Sequence, residues 1–348
     1  MKNFFLTLAL ACFVIQISQA TIRTVCSMPY SPGQYTTFAA AHAAAAINDT
    51  IYVHGSSLNY GAVTISKTGI VVIGAGHNPV KQAPLPSSFT SITVTSGINN
   101  CQFIGLTMQN LFLGNSTSTV VKRCKFTELV GSGLGISCSG PTNNLLVEGN
   151  VFNQWTGAGF LNINFGGNTC SNTILRNNVF SGMIISNSPS TSPLTFFITN
   201  NIFLGVVNPV FNSIINATIN NNIFYRSCPQ GAVTGCIMNN NISFQCASNT
   251  FSAPGANNLV GVNPQFVNFP LAGAYFDYNH DYALAAGSPG LLTSDDGTDR
   301  GVYGGFGYKF NMTGEPAMAE ITLFSITSPT IIAPGGTLDI TVTSKRVK

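Results

Sequence analysis

Ile198-Thr199-Asn200-Asn201-Ile202-Phe203 is followed 21 residues later by Ile219-Asn220-Asn221-Asn222-Ile223-Phe224. The same word stands earlier as Val147-Glu148-Gly149-Asn150-Val151-Phe152 and Leu175-Arg176-Asn177-Asn178-Val179-Phe180. Weaker copies end at Phe103, Phe126 and Phe251, so the intervals from Phe to Phe are 23, 26, 28, 23, 21 and 27. Self-similarity at such a period marks a stacked repeat. Aligned on the Phe, the position five before it holds Ile98, Val121, Val147, Leu175, Ile198, Ile219 and Cys246. That column is aliphatic, as a strand facing a core requires. Two before the Phe stand Cys101, Cys124, Asn150, Asn178, Asn201, Asn222 and Asn249. Three before it stand Asn100, Arg123, Gly149, Asn177, Asn200, Asn221 and Ser248, rich in the residues that tolerate a left-handed backbone. Each repeat therefore reads as strand, tight bend, strand.

One such unit cannot bury its own apolar face. Stacking does so: each coil bonds to the next at roughly 4.8 Å, and like residues lie over like. Stacked Asn side chains then bond along their column, as amide ladders do in cross-β assemblies. The expected fold is all-β, a stack of coils of about 25 residues whose strands pair from one coil to the next. Helical repeats of similar length need long amphipathic helices, which the sequence lacks. A sandwich would alternate hairpin turns and would not keep such columns. Met238-Asn239-Asn240-Asn241-Ile242 resembles another copy but lies too close to Phe251 for both to be in column. The sequence leaves open which is out of step.

Outward from the repeat, Phe38 to Ile47 is an Ala-rich helix candidate leading into Asp49-Thr50-Ile51-Tyr52-Val53. A short helix there would cap the first coil and protect its strand edge. Past Asn263 the repeat fades. Ala286-Gly287-Ser288-Pro289 and Gly297-Thr298-Asp299-Arg300-Gly301-Val302-Tyr303-Gly304-Gly305 read as a closing coil. Beyond Pro316, two strand-like runs, Ile321 to Thr327 and Leu338 to Ser344, flank Pro334-Gly335-Gly336. This tail is too small for its own core. It must dock on the coil, pair with another chain or stay mobile. The organisation expected is a leader over 1–20, a cap over 21–50, the coil over 51–308 and the tail over 309–348.

The chain of 348 residues is 45% hydrophobic and only 7% charged, with 37 Asn. Such a balance excludes a disordered polyelectrolyte. The net charge of +3 has no basic run behind it, which argues against a nucleic-acid partner. Lys2, the apolar run Phe4 to Ile17 and Ser18-Gln19-Ala20 form an export leader cleaved after Ala20. Cys12 makes a poor lipid-anchored Cys, because the apolar run before it is short and Ala9 fits a lipoprotein box badly. No later segment is apolar enough to span a bilayer. The expectation is a secreted, cell-surface or periplasmic protein. Cleavage leaves Cys26, Cys101, Cys124, Cys138, Cys170, Cys228, Cys236 and Cys246, an even set that permits disulfides. Cys228 and Cys236 flank a Pro-Gly loop and are the expected bridge. Cys101 and Cys124 share a column and either bridge or stack as buried thiols.

The Asn-Asn-Ile-Phe repeats, the Ala-rich helix entering Asp49-Thr50-Ile51-Tyr52-Val53, and the Gly287-Ser288-Pro289…Asp299-Arg300-Gly301-Val302-Tyr303-Gly304-Gly305 close resemble secreted bacterial right-handed parallel β-helix proteins of the pectin-lyase-like superfamily. The resemblance covers about residues 35–308. It implies the fold. It does not choose among lyases, hydrolases, adhesins and proteins without assigned activity.

Chemistry is harder to find. Between residues 50 and 270 the only acids are Glu128 and Glu148. Calcium needs several oxygen ligands and glycoside hydrolysis needs paired carboxylates, and the coil offers neither pattern. Glu128 and Glu148 read as solvated surface acids, and a catalytic pair is the alternative. Lys122-Arg123-Cys124-Lys125 reads as a solvated outer bend, or else as a contact for an anionic sugar. Asp277, Asp281, Asp295, Asp296 and Asp299, with His280 and Arg300, read as turn chemistry, the alternative being a catalytic or calcium site. His54 and His77 lack a third ligand, so no metal is assigned. Trp155 falls in a column with Leu106, Leu129, Met183 and Val206 and reads as core rather than a sugar platform. Asn48, Asn115, Asn216, Asn241 and Asn311 begin sequons that a chain so rich in Asn contains by chance. No catalytic residue, metal ligand or cofactor is therefore assigned, and ligand-binding residues stay unknown. The leading expectation is a non-catalytic binder of polysaccharide or of a cell-surface partner. The alternative is a polysaccharide lyase or glycoside hydrolase with an unusual site.

Overall fold

The computed structural model describes residues 20–29, 32–80, 85–127, 134–153, 161–181, 184–188, 195–205, 209–272, 275–308, 310–326 and 340–346. Among them the protein is all-β, with a single helix and long parallel sheets of ten and fifteen strands, the arrangement of a parallel β-helix. In the ten-stranded sheet one column runs Ile51, Val72, Phe103, Val121, Val147, Leu175, Ile198, Ile219, Met238 in strict register. Every member is fully buried. In the larger sheet Phe126, Phe152, Phe180, Phe203 and Phe224 lie one over the next. Their rings stack at centroid spacings of 4.5, 4.7, 5.0 and 4.7 Å. That spacing is the strand spacing itself, so a Phe repeated in register gains aromatic contact at every step.

The bend between these two columns carries positive φ at Gly105, Arg123, Gly149, Asn177, Asn200, Asn221 and Asn240. Arg123, Gly149, Asn177, Asn200 and Asn221 belong to the expected left-handed column, whereas Gly105 and Asn240 stand where the sequence reading put Asn100 and Ser248. From Gly149 onward the next residue in the bend is an Asn, giving the ladder Asn150, Asn178, Asn201, Asn222, Asn241, which ends on Asn258 after the positive-φ Asn257. Each side chain donates to the next at 3.0 or 3.1 Å. Each also donates to a strand carbonyl, as Asn201 does to Leu175 at 2.9 Å. The amides are thus satisfied where burial would otherwise cost most.

Two registers and the disulfide pairing differ from the sequence reading. Asn241 and Asn258 continue the ladder, and Ser243 stands beside Phe224, so the word ending at Phe251 is the one out of column. Phe251 packs instead on the edge of Phe224. Phe103 pairs with Val121, and Met108 with Phe126, so Phe103 belongs to the other sheet. Each coil has two inward apolar positions, and a Phe fits either. Cys101 and Cys124 consequently lie in different columns and do not bridge. Both are buried free thiols whose sulfur bonds to backbone carbonyls. The bridge that forms is Cys228–Cys246, while Cys236 is free and buried. It joins loops of neighbouring strands rather than closing the Pro-Gly loop.

At the N-terminal end the helix α1, Phe38–Ala44, is capped by Thr37, which accepts from the Ala40 amide. Lys67 donates to the carbonyls of His42, Ala43 and Ala45, satisfying the other end of the helix. The helix stops before Ile47 because Asp49 captures the Ala46 amide and turns the chain into the first strand. At the other end, residues 288–308 and 310–318 do not add a coil. They run back along the bend as a strap, tied to Asn241, Asn221, Asn177, Arg123 and His77 through Arg300, Asp295, Val302, Glu315 and Thr313 respectively. A second apolar cluster lies beneath it. Val151, Val179, Ile202, Ile223 and Ile242, on the outer side of the larger sheet, are covered by Phe276, Tyr282, Val302, Tyr308 and Phe310. The residue before each Phe from Phe152 to Phe224 is apolar for that reason. Ala319–Ile326 and Ile340–Arg346 pair as an antiparallel hairpin; its Pro-Gly-Gly link lies outside the described residues.

Candidate functional site

Each strand of the ten-stranded sheet sends the residue after its core position outward. This column reads Ile73, Ile104, Lys122, Glu148, Arg176, Thr199, Asn220, Asn239. It changes from apolar through charged to polar over roughly 29 Å from Ile73 to Asn220, at about 4.8 Å per strand. The strap forms the opposite wall. Two cavities lie between, side by side. One, of about 360 Å³, is lined by Ile73, Ile104, Lys122, Glu148, Tyr308 and Met318 among others. The second, of about 210 Å³, is lined by Arg176, Thr199, Asn200, Asn221, Asp295 and Phe306 among others.

They meet at an ion pair. Glu148 is nearly fully buried and accepts from Lys122 Nζ at 2.9 Å, from Arg176 Nε at 2.5 Å and from Arg176 Nη2. The expectation of a solvated acid is therefore corrected: neighbouring rungs bracket Glu148 with cations. The signal was present in the sequence, because the position four before each Phe reads Lys122, Glu148, Arg176. Lys122 and Arg176 keep about a third of their side-chain surface open, 34% and 37%, so the trough presents cations at its mouth.

Arg123 turns to the strap and donates to the Glu315 carbonyl at 2.7 Å. Tyr308 reaches across the next rung, its hydroxyl against Gly149. A Cβ there would lie 1.4 Å from that oxygen, and φ is +67°, so both space and backbone demand glycine. Burial pushes the Tyr308 phenol up. Lys125 is not on a solvated bend either. It sits 4.6 Å above the ring of Tyr278, and burial lowers its pKa.

The C-terminal acids are spread over separate turns. Asp277 accepts from the Asn279 amide and Asp281 from that of Ala283. Asp299 takes the Leu292 amide. Asp295 is gripped by Asn220 and Asn221. Burial alone would raise the Asp296 carboxyl, but hydrogen bonds from Ser294 and Thr298 hold it below the usual range. Arg300 is buried and spends its guanidinium on the Thr293 and Asn241 carbonyls. His77 bonds Tyr278 at 2.8 Å, whereas the ring of His54 packs on Tyr52, so the two histidines serve different contacts. Among the described residues no three His, Cys, Asp or Glu stand together as metal ligands. Glu128 and Trp155 lie outside the described residues, as do Leu129, Met183 and Val206; Leu106 is core. Asn241 is a ladder residue, so its sequon is enclosed in the fold.

No family model matches this chain, and no curated protein matches it.

Proposed function

We propose that the chain is an exported right-handed parallel β-helix of the pectin-lyase-like superfamily, with coils of about 25 residues. It binds a polysaccharide, or a partner at the cell surface, without transforming it. The observation that carries this reading is the trough between the charged-to-polar column and the strap, which is long, open and lined by cations, amides and hydroxyls. A linear polymer fits such a shape better than a small metabolite, which a closed and mostly apolar pocket would suit. The carboxylates on its walls are engaged in ion pairs and turns, which favours binding over acid-base chemistry.

The right-handed sense is favoured by the general chirality of parallel crossovers. Export is supported by the leader-like start and by Cys228–Cys246, a bond compatible with an oxidising compartment. No helix among the described residues is long and apolar enough to cross a membrane. We assign 1–20 to the leader, 21–50 to the cap, 51–308 to the β-helix domain, in which 288–308 are strap rather than coil, and 309–348 to a tail whose first residues, to Met318, still line the trough.

The test is affinity electrophoresis of the purified protein against plant and microbial polysaccharides, with product analysis of each mixture. Retardation by at least one polymer without new reducing ends or unsaturated products is expected. Turnover lost on mutating the acids would overturn the non-catalytic reading. Failure to bind any polymer would overturn the polysaccharide reading.

A further inference from the structure

The smaller cavity has a chemistry of its own. Thr199, Asn200, Asn221, Asp295, Asp296 and Phe306 line it. Phe306 is 75% exposed, an unusual position for a large aromatic ring beside polar groups. The exposure is built into the strap. Gly305 and Gly307, on either side, both take left-handed φ, +84° and +80°, which holds residue 306 out from the wall. Fixed acceptors share the cavity with the ring. Asp295 is locked by Asn221 at 2.5 Å and Asn220 at 3.2 Å. Asp296 takes Ser294 and Thr298 on Oδ1, with no hydrogen bond to Oδ2 from the described residues. The Asn200 amide nitrogen is spent on the Asp299 carbonyl, which leaves its oxygen toward Gly305.

An apolar ring face beside amides, a hydroxyl and carboxylates matches a molecule with one C–H face and a rim of hydroxyls. Charge then narrows the choice. Arg176, the cation in this cavity, is committed to Glu148. Two aspartates remain, and Asp296 is held ionised by its donors. A carboxylate or sulfate entering here would meet like charge. A volume of about 210 Å³ equals several waters at roughly 30 Å³ each. That is room for one sugar ring rather than a length of polymer.

We propose that this cavity is a subsite for a single neutral pyranose residue, stacked on Phe306 and hydrogen-bonded through its hydroxyls to Asp295 and Asp296. The assignment rests on the polysaccharide reading above and deepens it: the polymer carries a neutral residue at this point, whatever faces Lys122.

The experiment titrates the full chain by calorimetry with cellohexaose, mannohexaose, xylohexaose and maltohexaose, and with hexagalacturonate at the same length and salt. Wild type is compared with Phe306→Ala, Phe306→Trp and Asp296→Asn. Leu292→Ala, exposed but outside the cavity, is the surface control. At least one neutral oligosaccharide is expected to bind. Phe306→Ala should weaken it about tenfold, as loss of one central aromatic contact does, while Phe306→Trp restores it. Since Phe306 is exposed, an unchanged thermal melt will show that its removal spares the fold. Binding of hexagalacturonate alone, or neutral binding untouched by Phe306→Ala, would overturn the subsite and leave the polysaccharide reading standing. No binding by any of the five would overturn both.

Discussion

Asn178 gives both its backbone N–H, at 2.9 Å, and its side-chain Nδ2, at 3.0 Å, to the Oδ1 of Asn201. Asn201 in turn gives both donors to Asn222 and keeps one side-chain proton for the Leu175 carbonyl. Removing one rung therefore strands groups on both neighbours. Asn201→Ala is expected to lower stability by about 3–5 kcal/mol, because several buried donors and acceptors are unpaired at once. Asn201→Asp keeps the acceptor, loses the donor and buries a charge, so it should cost at least as much. Equilibrium denaturation in urea checks this. A midpoint for Asn201→Ala within 1 kcal/mol of wild type, by the usual slope, would show that the ladder is ornamental.

The cysteines divide into one bridge and a set of inert thiols. Cys228 and Cys246 close a loop of separation 18, and removing the bond is expected to cost about 3 kcal/mol on loop-entropy grounds. Burial pushes the Cys101 thiol up to about 11 and that of Cys124 up to about 12. Thiolates are then scarce at neutral pH, so both should resist iodoacetamide in the folded protein and react in denaturant. Peptide mapping without reduction reads the bridge and the labelling together. A Cys228–Cys236 peptide, or rapid labelling of Cys124 in the native state, would contradict the structure.

The Glu148 ion pair gives a third outcome. Glu148 is buried, but Lys122 and Arg176 remain partly in water, which screens the loss. Glu148→Gln should destabilise by about 2 kcal/mol, and adding Lys122→Met to it should cost less than the sum, since one stranded cation is removed. A double-mutant cycle by denaturation measures the coupling. Strict additivity would mean that the residues are neighbours without being partners.

How much of this could be read beforehand follows from the range of each contact. The columns at Phe152, Phe180, Phe203 and Phe224 and the Asn rungs were legible because stacking repeats them at a near-constant interval. Phe103 was not, since two inward strand positions in each coil accept the same residue type. The short step from Asn222 to Asn241 hid the last rungs, because loops between strands vary in length while the stack does not. The strap was invisible for another reason. Asn177 meets Val302 and Gly304, and Arg123 meets Glu315, across 125 to 192 residues, and no local pattern announces such pairings. The trough, having the strap as one wall, was hidden with it, although its other wall stood in the sequence four residues before each Phe. Cys246 looked like a strand residue until the late register was corrected, and the true bridge was lost with it.

The N-terminal cap should loosen in acid in two stages. His42 Nε2 accepts the Ser66 amide at 3.3 Å, and burial, then Lys67, lowers its pKa from the ordinary 6.5. Because the folded value lies below the unfolded one, neutral His42 contributes stability above pH 6.5, and that is lost as pH falls through the depressed value. Asp49 follows. Burial alone would raise its carboxyl, but the Thr21 amide at 2.7 Å, the Ala46 amide at 2.9 Å and Arg23 pull it below the ordinary 3.8. Its contribution is complete above that ordinary value and disappears as pH drops through the lowered one. Both groups therefore act in the same direction, first below about pH 6.5 and again below about pH 4. Asp49→Asn should be less stable at neutral pH, because its amide cannot accept both backbone donors, and should lose the second stage alone. His42→Gln should lose the first stage alone, since a neutral side chain takes the place of one that must stay unprotonated. Protection of the amides in Thr50–Val53 against hydrogen exchange, corrected for intrinsic rate and followed from about pH 7 to about pH 3, separates the stages. Identical pH profiles for wild type and Asp49→Asn would show that this carboxylate does not hold the cap.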